Sequence, residues 1–155
     1  MQSLDEKYML EALVEAQAAL DQGEFPVGCL FVAEQKILAR GRRVNSSEAQ
    51  RNEIDHAEMV TLRGLLAKHP GCDLSQVTVY CTMEPCLMCY TTLLLSGVRR
   101  FVWGYEDVMG GGTGLLLQDQ APLFAQMQVE LIGKVLRNQS LHLFQQFFKH
   151  HSYWQ

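Results

Sequence analysis

Thr82-Met83-Glu84-Pro85-Cys86-Leu87-Met88-Cys89 is the stretch from which the rest of the chain can be read. Cys86 and Cys89 are three apart, so on a helix they share a face. Pro85 suits a helix start, where its missing N–H costs nothing. Ahead of it, Val77-Thr78-Val79-Tyr80-Cys81 reads as a short strand rich in β-branched residues. The expectation is strand, turn, helix, with both thiols in the helix's first turn. The positive end of that helix favours thiolates.

A second stretch upstream, Asp55-His56-Ala57-Glu58, completes the set. Met59, Val60, Leu62, Leu65 and Leu66 follow at helical spacing, so His56 opens a helix as well. Each piece alone is ambiguous. A Cys-x-x-Cys is also a redox pair or two small buried hydrophobes, and His-x-Glu recurs by chance. Together they supply an imidazole, two thiolates and a carboxylate. His56, Cys86 and Cys89 are then three ligands for Zn2+, with one coordination position open. Glu58 lies two residues after His56, and positions two apart do not face the same way on a helix. It is therefore read as the catalytic acid/base leaning over the open position rather than as a fourth ligand.

At 155 residues the chain is expected to be one domain spanning 1–155. Hydrophobic content of 48% and charged content of 19% fit a globular protein. No apolar run approaches the roughly 20 residues needed to cross a bilayer, so no membrane partner is expected. The start, Met1-Gln2-Ser3-Leu4-Asp5-Glu6, is polar and acidic, unlike a secretory signal. Five cysteines make no even disulfide framework, and two are claimed by metal. A reducing, cytoplasmic setting follows as the expectation. A net charge of −4 argues against a general nucleic-acid coat but leaves room for a local basic patch.

Along the chain, Ser3-Leu4-Asp5-Glu6 has the form of a capping box. Helix one follows, with Met9, Leu10, Leu13, Ala16 and Leu20 as its apolar stripe, and Gly23 ends it. Strand one runs from Cys29 to Ala33, strand two from Ile37 to Arg42. Glu34-Gln35-Lys36 turns between them. A polar loop from Asn45 to Asp55 leads to the His56 helix, which His69-Pro70-Gly71 stops. The Cys86 helix runs to Ser96-Gly97. Strand four is Arg100 to Tyr105, and the glycine-rich Gly110-Gly111-Gly112-Thr113-Gly114 follows. Gln128 to Ile132 is a fifth strand, and Ser140 to about His151 a final amphipathic helix. This order predicts an α/β fold, a three-layer α/β/α arrangement with a central mixed five-stranded sheet. The metal belongs at the carboxyl end of strand three, where helices begin.

His56-Ala57-Glu58-Met59, Glu84-Pro85-Cys86-Leu87-Met88-Cys89, Gly104-Tyr105-Glu106-Asp107, Pro26-Val27-Gly28 and Phe147-Phe148-Lys149 occur in the order of a known family. The chain resembles the cytidine deaminase superfamily and, within it, the tRNA adenosine deaminase and guanine deaminase branch. The resemblance implies a cytidine deaminase-like fold and zinc-dependent hydrolytic removal of an amino group from a nucleobase. It places Asn45 where the branch has a base-contacting asparagine. As chemistry alone, Asn45 is equally a turn residue in Asn45-Ser46-Ser47, and Asp107 equally an acidic loop residue. The substrate contacts the resemblance implies are Pro26, Val27, Asn45, Ala57, Glu84, Pro85 and Asp107. It also implies a homodimer, in keeping with the apolar Met88, Leu93, Leu94 and Leu95 on the Cys86 helix. Three stretches depart from the tRNA enzymes: Arg51-Asn52-Glu53-Ile54-Asp55, Met109-Gly110-Gly111-Gly112, and the tail from His150 to Gln155.

Two substrate classes follow. The first is adenosine in tRNA, with Arg42, Arg43, Arg51, Arg99, Arg100 and Lys149 as candidate grips on RNA. The second is a small nucleoside or free base, guanine or cytosine, with Tyr153 and Trp154 covering the site. A third class, a catalytically dead zinc-binding subunit, is opposed by Glu58 standing beside a full ligand set.

Overall fold

A computed structural model describes residues 1–151; the tail residues Tyr153 and Trp154 lie outside them. Helix α1 (Leu4–Asp21) begins with both bonds of the expected capping box: the Ser3 hydroxyl accepts from Glu6 N–H and the Glu6 carboxylate from Ser3 N–H, each at 3.1 Å. Strands β1 (Gly28–Ala33) and β2 (Lys36–Arg42) form a hairpin. Its two loop residues, Glu34 and Gln35, both have positive φ, the twist that a tight hairpin demands. Helix α2 (Ala57–Lys68), β3 (Thr78–Met83), α3 (Leu87–Leu95) and β4 (Arg100–Tyr105) follow. Two single 3-10 turns, β5 (Glu130–Ile132) and α4 (Arg137–His150) complete the described residues.

The sheet order is β2-β1-β3-β4-β5. The pairs β2/β1 and β1/β3 are antiparallel; β3/β4 and β4/β5 are parallel. The predicted mixed five-stranded sheet is therefore present. Side chains alternate between its faces. Leu30, Val32, Tyr80 and Val102 meet Tyr8, Met9 and Ala12 of α1 on one side, where α4 also packs. Phe31, Val79 and Phe101 meet Leu62 and Leu65 of α2 and Tyr90 and Leu93 of α3 on the other.

Several boundaries and faces differ from the sequence reading. The buried face of α1 is Tyr8, Met9, Ala12, Glu15, Ala16 and Ala19, whereas Leu10 is exposed. The reason is close approach: a Cβ on Gly28 would overlap the Ala12 carbonyl oxygen, so the helix crosses β1 on its small residues. On α2, Leu66 likewise faces outward. On α3, Leu93 and Leu94 are spent on the chain's own core, leaving Leu87, Met88 and Leu95 exposed. Helix α4 starts at Arg137, three residues before Ser140, after a left-handed Leu136.

Arg100 on β4 ties both ends of the structure. It binds Asp5 through two bonds of 3.0 and 2.9 Å and Glu130 at 2.9 Å, while Tyr80 donates to Asp5 at 2.7 Å. The Arg100 guanidinium holds the Asp5 carboxyl below the usual carboxylate range. A folded pKa depressed in this way stabilises the fold above the unfolded value, about 3.9, and that gain is lost as pH falls through the lower folded value. Asp5→Asn is therefore expected to be less stable than wild type in urea at pH 7, with the difference narrowing as pH is lowered from about 4 towards 2.

Candidate active site and metal centre

Two helix starts converge at the carboxyl end of β3. His56 is the N-cap residue of α2, with extended backbone, and its carbonyl accepts from Val60 N–H. Cys86 is the N-cap of α3, so Pro85 stands one residue outside the helix and only Cys89 lies within its first turn. The shift has a local cause. Glu84 N–H bonds to Tyr105 O and Gly112 N–H to Pro85 O, which keeps this stretch extended until Cys86. Cys86 pairs with Gly111 in an isolated bridge.

His56 Nδ1 lies 3.5 Å from the sulfur of Cys86 and 3.5 Å from that of Cys89. The three donor atoms all lie within 4.8 Å of one another. Tetrahedral zinc bonds of about 2.0–2.3 Å place an N and an S donor roughly 3.5 Å apart, so the trio has the right size and composition for that ion. The electrostatics agree. The bond from the Cys89 thiol, helped by the His56 ring, holds Cys86 down at about 4. That same bond and burial push Cys89 up. Two sulfurs this close to one imidazole are a site in which a cation lets both carry charge. His56 is raised, first by its bond to Cys86. Glu58 is 4% exposed beside them, and burial pushes its carboxyl up.

The trio opens on a cavity of about 220 Å³, smaller than the ~300–1,000 Å³ typical of drug-sized ligands and suited to one ring system. Its walls include His56, Ala57, Glu58, Glu84, Cys86, Val27 and Asp107 from the expected set, together with Phe25, Arg43, Glu53 and Met83. Pro26 and Pro85 are buried behind the wall. Asn45 is not a wall residue. Its backbone is left-handed, and its amide donates to Asp55 at 2.9 Å. Asp55 also accepts from Asn52 at 2.9 Å and Arg63 at 3.3 Å.

The glycine-rich loop closes over Cys86. Asp107 accepts from the N–H groups of Met109 and Gly110. A Cβ on Gly111 would overlap the Glu84 carboxylate and lie 2.6 Å from the Asp107 carbonyl oxygen. Gly111→Ala is expected to cost about 1–3 kcal/mol of stability and to lower zinc occupancy, read by thermal melting and metal analysis of the purified protein.

The description of the cytidine and deoxycytidylate deaminase zinc-binding region matches residues 2–105. The chain belongs to that family. It is 34% identical over 145 residues to the tRNA-specific adenosine deaminase of Bacillus subtilis (strain 168), covering 94% of this chain and 89% of that one. Among solved structures, one from a study of A-to-I editing by tRNA deaminases at the wobble position superposes with a TM-score of 0.75 at 24% identity, covering 88% of this chain and 99% of that one. A guanine deaminase from Nitrosomonas europaea gives a TM-score of 0.72 at 21% identity, covering 92% and 83%. Both share this deaminase's fold.

The enzyme is thus a zinc-dependent deaminase, and His56, Cys86 and Cys89 are compatible with its zinc site. The sequence reading did not single out Phe25, Arg43, Glu53 or Met83 as wall residues of this deaminase. Phe25 precedes Pro26 and packs against Phe144 and Phe147 at 5.2 and 5.3 Å between ring centroids. A lone phenylalanine before a proline carries no signal of that. Arg43 is 3% exposed and donates to the carbonyls of Val44, Asn52 and Asp55, so it organises the loop from within. Buried arginines are rare, and sequence offers no sign of one. Among the described residues no helix is long and apolar enough to cross a membrane.

Proposed function

We propose that this deaminase converts adenosine to inosine in tRNA, with Glu58 as the acid/base and His56, Cys86 and Cys89 holding the zinc. The observation that carries the reading is Glu58 buried beside the trio in a cavity sized for one base; the tRNA comes from the Bacillus subtilis relative's activity. When bound, zinc supplies Lewis-acid activation of water. Glu58 takes a proton from the attacking water and delivers it to the ring nitrogen; it then takes the second proton from the new hydroxyl on the attacked carbon and passes it to the departing amine, so that the carbonyl forms as ammonia leaves. Burial pushes its carboxyl up, which favours its taking the proton from water. Phe25 and Val27 wall the ring, Ala57 lies beside it, and Glu84 and Asp107 accept from its N–H groups or from ribose hydroxyls. Pro26 and Pro85 back the wall, and Asn45, fixed by Asp55, holds the loop beside it. The chain works as one unit over 1–155, in the cytoplasm, and pairs as a homodimer through exposed Leu87, Met88 and Leu95 of α3.

A second reading, a free base such as guanine, is favoured by charge. Glu53, Glu84 and Asp107 line the cavity. The arginines expected to grip RNA are engaged internally: Arg42 with Glu15, Arg51 with Glu53, Arg99 with two carbonyls, and Arg100 with Asp5 and Glu130. Ammonia release against tRNA stem-loops, nucleosides and free bases decides between the two. Turnover of the stem-loop with none of free guanine supports the first reading, and the reverse overturns it. Sedimentation at the monomer mass would remove the dimer.

A further inference from the structure

We infer that Glu53 is a positioning residue for the metal centre, the acceptor that fixes the His56 ring; this rests on the trio being the zinc site. His56 points Nδ1 at both sulfurs, 3.5 Å from each. A ring that ligates through Nδ1 must carry its proton on Nε2, and that N–H needs an acceptor behind it. Glu53 Oε2 lies 3.4 Å from Nε2. Glu53 comes from the loop that precedes α2, so the contact depends on how that loop is held. Arg51 bonds the other Glu53 oxygen at 2.9 Å. Arg43, buried beneath, grips the Asn52 carbonyl at 2.6 Å and the Asp55 carbonyl at 3.0 Å, on either side of the Glu53–Ile54 pair, with a guanidinium nitrogen 4.0 Å from Glu53 itself. Asp55 closes the same loop through Asn45 and Asn52. The carboxylate behind the ligand is thus supplied by a loop with its own internal frame. The side chain of Glu53 is 64% exposed, so its effect is directional: it selects the tautomer and aims the ring rather than adding a strong charge pair.

The test is zinc affinity, measured by competition with a chromogenic chelator on the whole protein. Losing such an outer partner typically weakens metal binding about 10–100-fold. Glu53→Ala is expected to fall in that range, and Glu53→Gln, which keeps an acceptor oxygen, to recover most of it. Glu48→Ala, an exposed acid in the same loop, is expected to match wild type. In the zinc-loaded protein the His56 Nε2–H proton resonance is expected to move upfield in Glu53→Ala and to return in Glu53→Gln. An affinity for Glu53→Ala within twofold of wild type overturns the inference, as does a Glu53→Gln protein no better than Glu53→Ala. If His56→Ala loses zinc while Glu53→Ala keeps it, the zinc site stands and only this inference falls. If both keep it, the trio itself is refuted as the site.

Discussion

Glu58→Ala is expected to bind zinc as wild type does and to release ammonia from the substrate at least 10²–10⁴-fold more slowly, the usual contribution of a positioned acid/base. The side chain is buried beside the trio but supplies none of its three donor atoms. Removing it therefore takes away proton transfer and leaves the metal donors in place. Burial also raises its pKa, because a desolvated carboxylate costs more to charge. Glu58→Gln preserves the shape while abolishing the acid/base function, so it should be as inactive as the alanine variant. Single-turnover ammonia release with metal analysis on the same sample checks this. A glutamine variant near wild-type rate would remove Glu58 from the chemistry.

Cys86→Ala is expected to lose both metal and activity. Two donors would remain, His56 and Cys89, and two protein ligands do not hold zinc against dilution. The variant also loses the group whose bond to Cys89 dominates the ionisation of both sulfurs. The expected readouts are zinc content below the level of detection after dialysis and no measurable turnover. Because Cys86 caps α3 without a side-chain hydrogen bond, the fold should survive, with little change in far-ultraviolet circular dichroism. Full zinc occupancy in Cys86→Ala would place the metal elsewhere.

Much of this was legible in the chain. The two candidate metal-binding stretches are local: Cys86 and Cys89 are bound by helical spacing, and His56 and Glu58 by adjacency at a helix start. The strand and helix order followed from hydrophobic period, and β4 falls on the residues expected, Arg100–Tyr105. What was misread was orientation. Leu10 looks like core on a helical wheel, yet it is exposed because Gly28 lets the alanine face of α1 approach the sheet. Pro85 looks like the first residue of a helix, yet Cys86 caps it because the glycine-rich loop pairs with the strand end.

By itself the sequence determined the chemistry: one imidazole, two thiols and a carboxylate at helix starts, because ligand type and short-range spacing are properties of neighbouring residues. Only the tertiary structure decided what surrounds that chemistry. Phe25, Arg43 and Glu53 come from loops whose course is set by contacts distant in the chain, such as Phe25 on Phe144 and Arg43 on the Asp55 carbonyl. Which wall a side chain joins depends on where loop backbones cross after the sheet has formed, and no local pattern encodes that crossing.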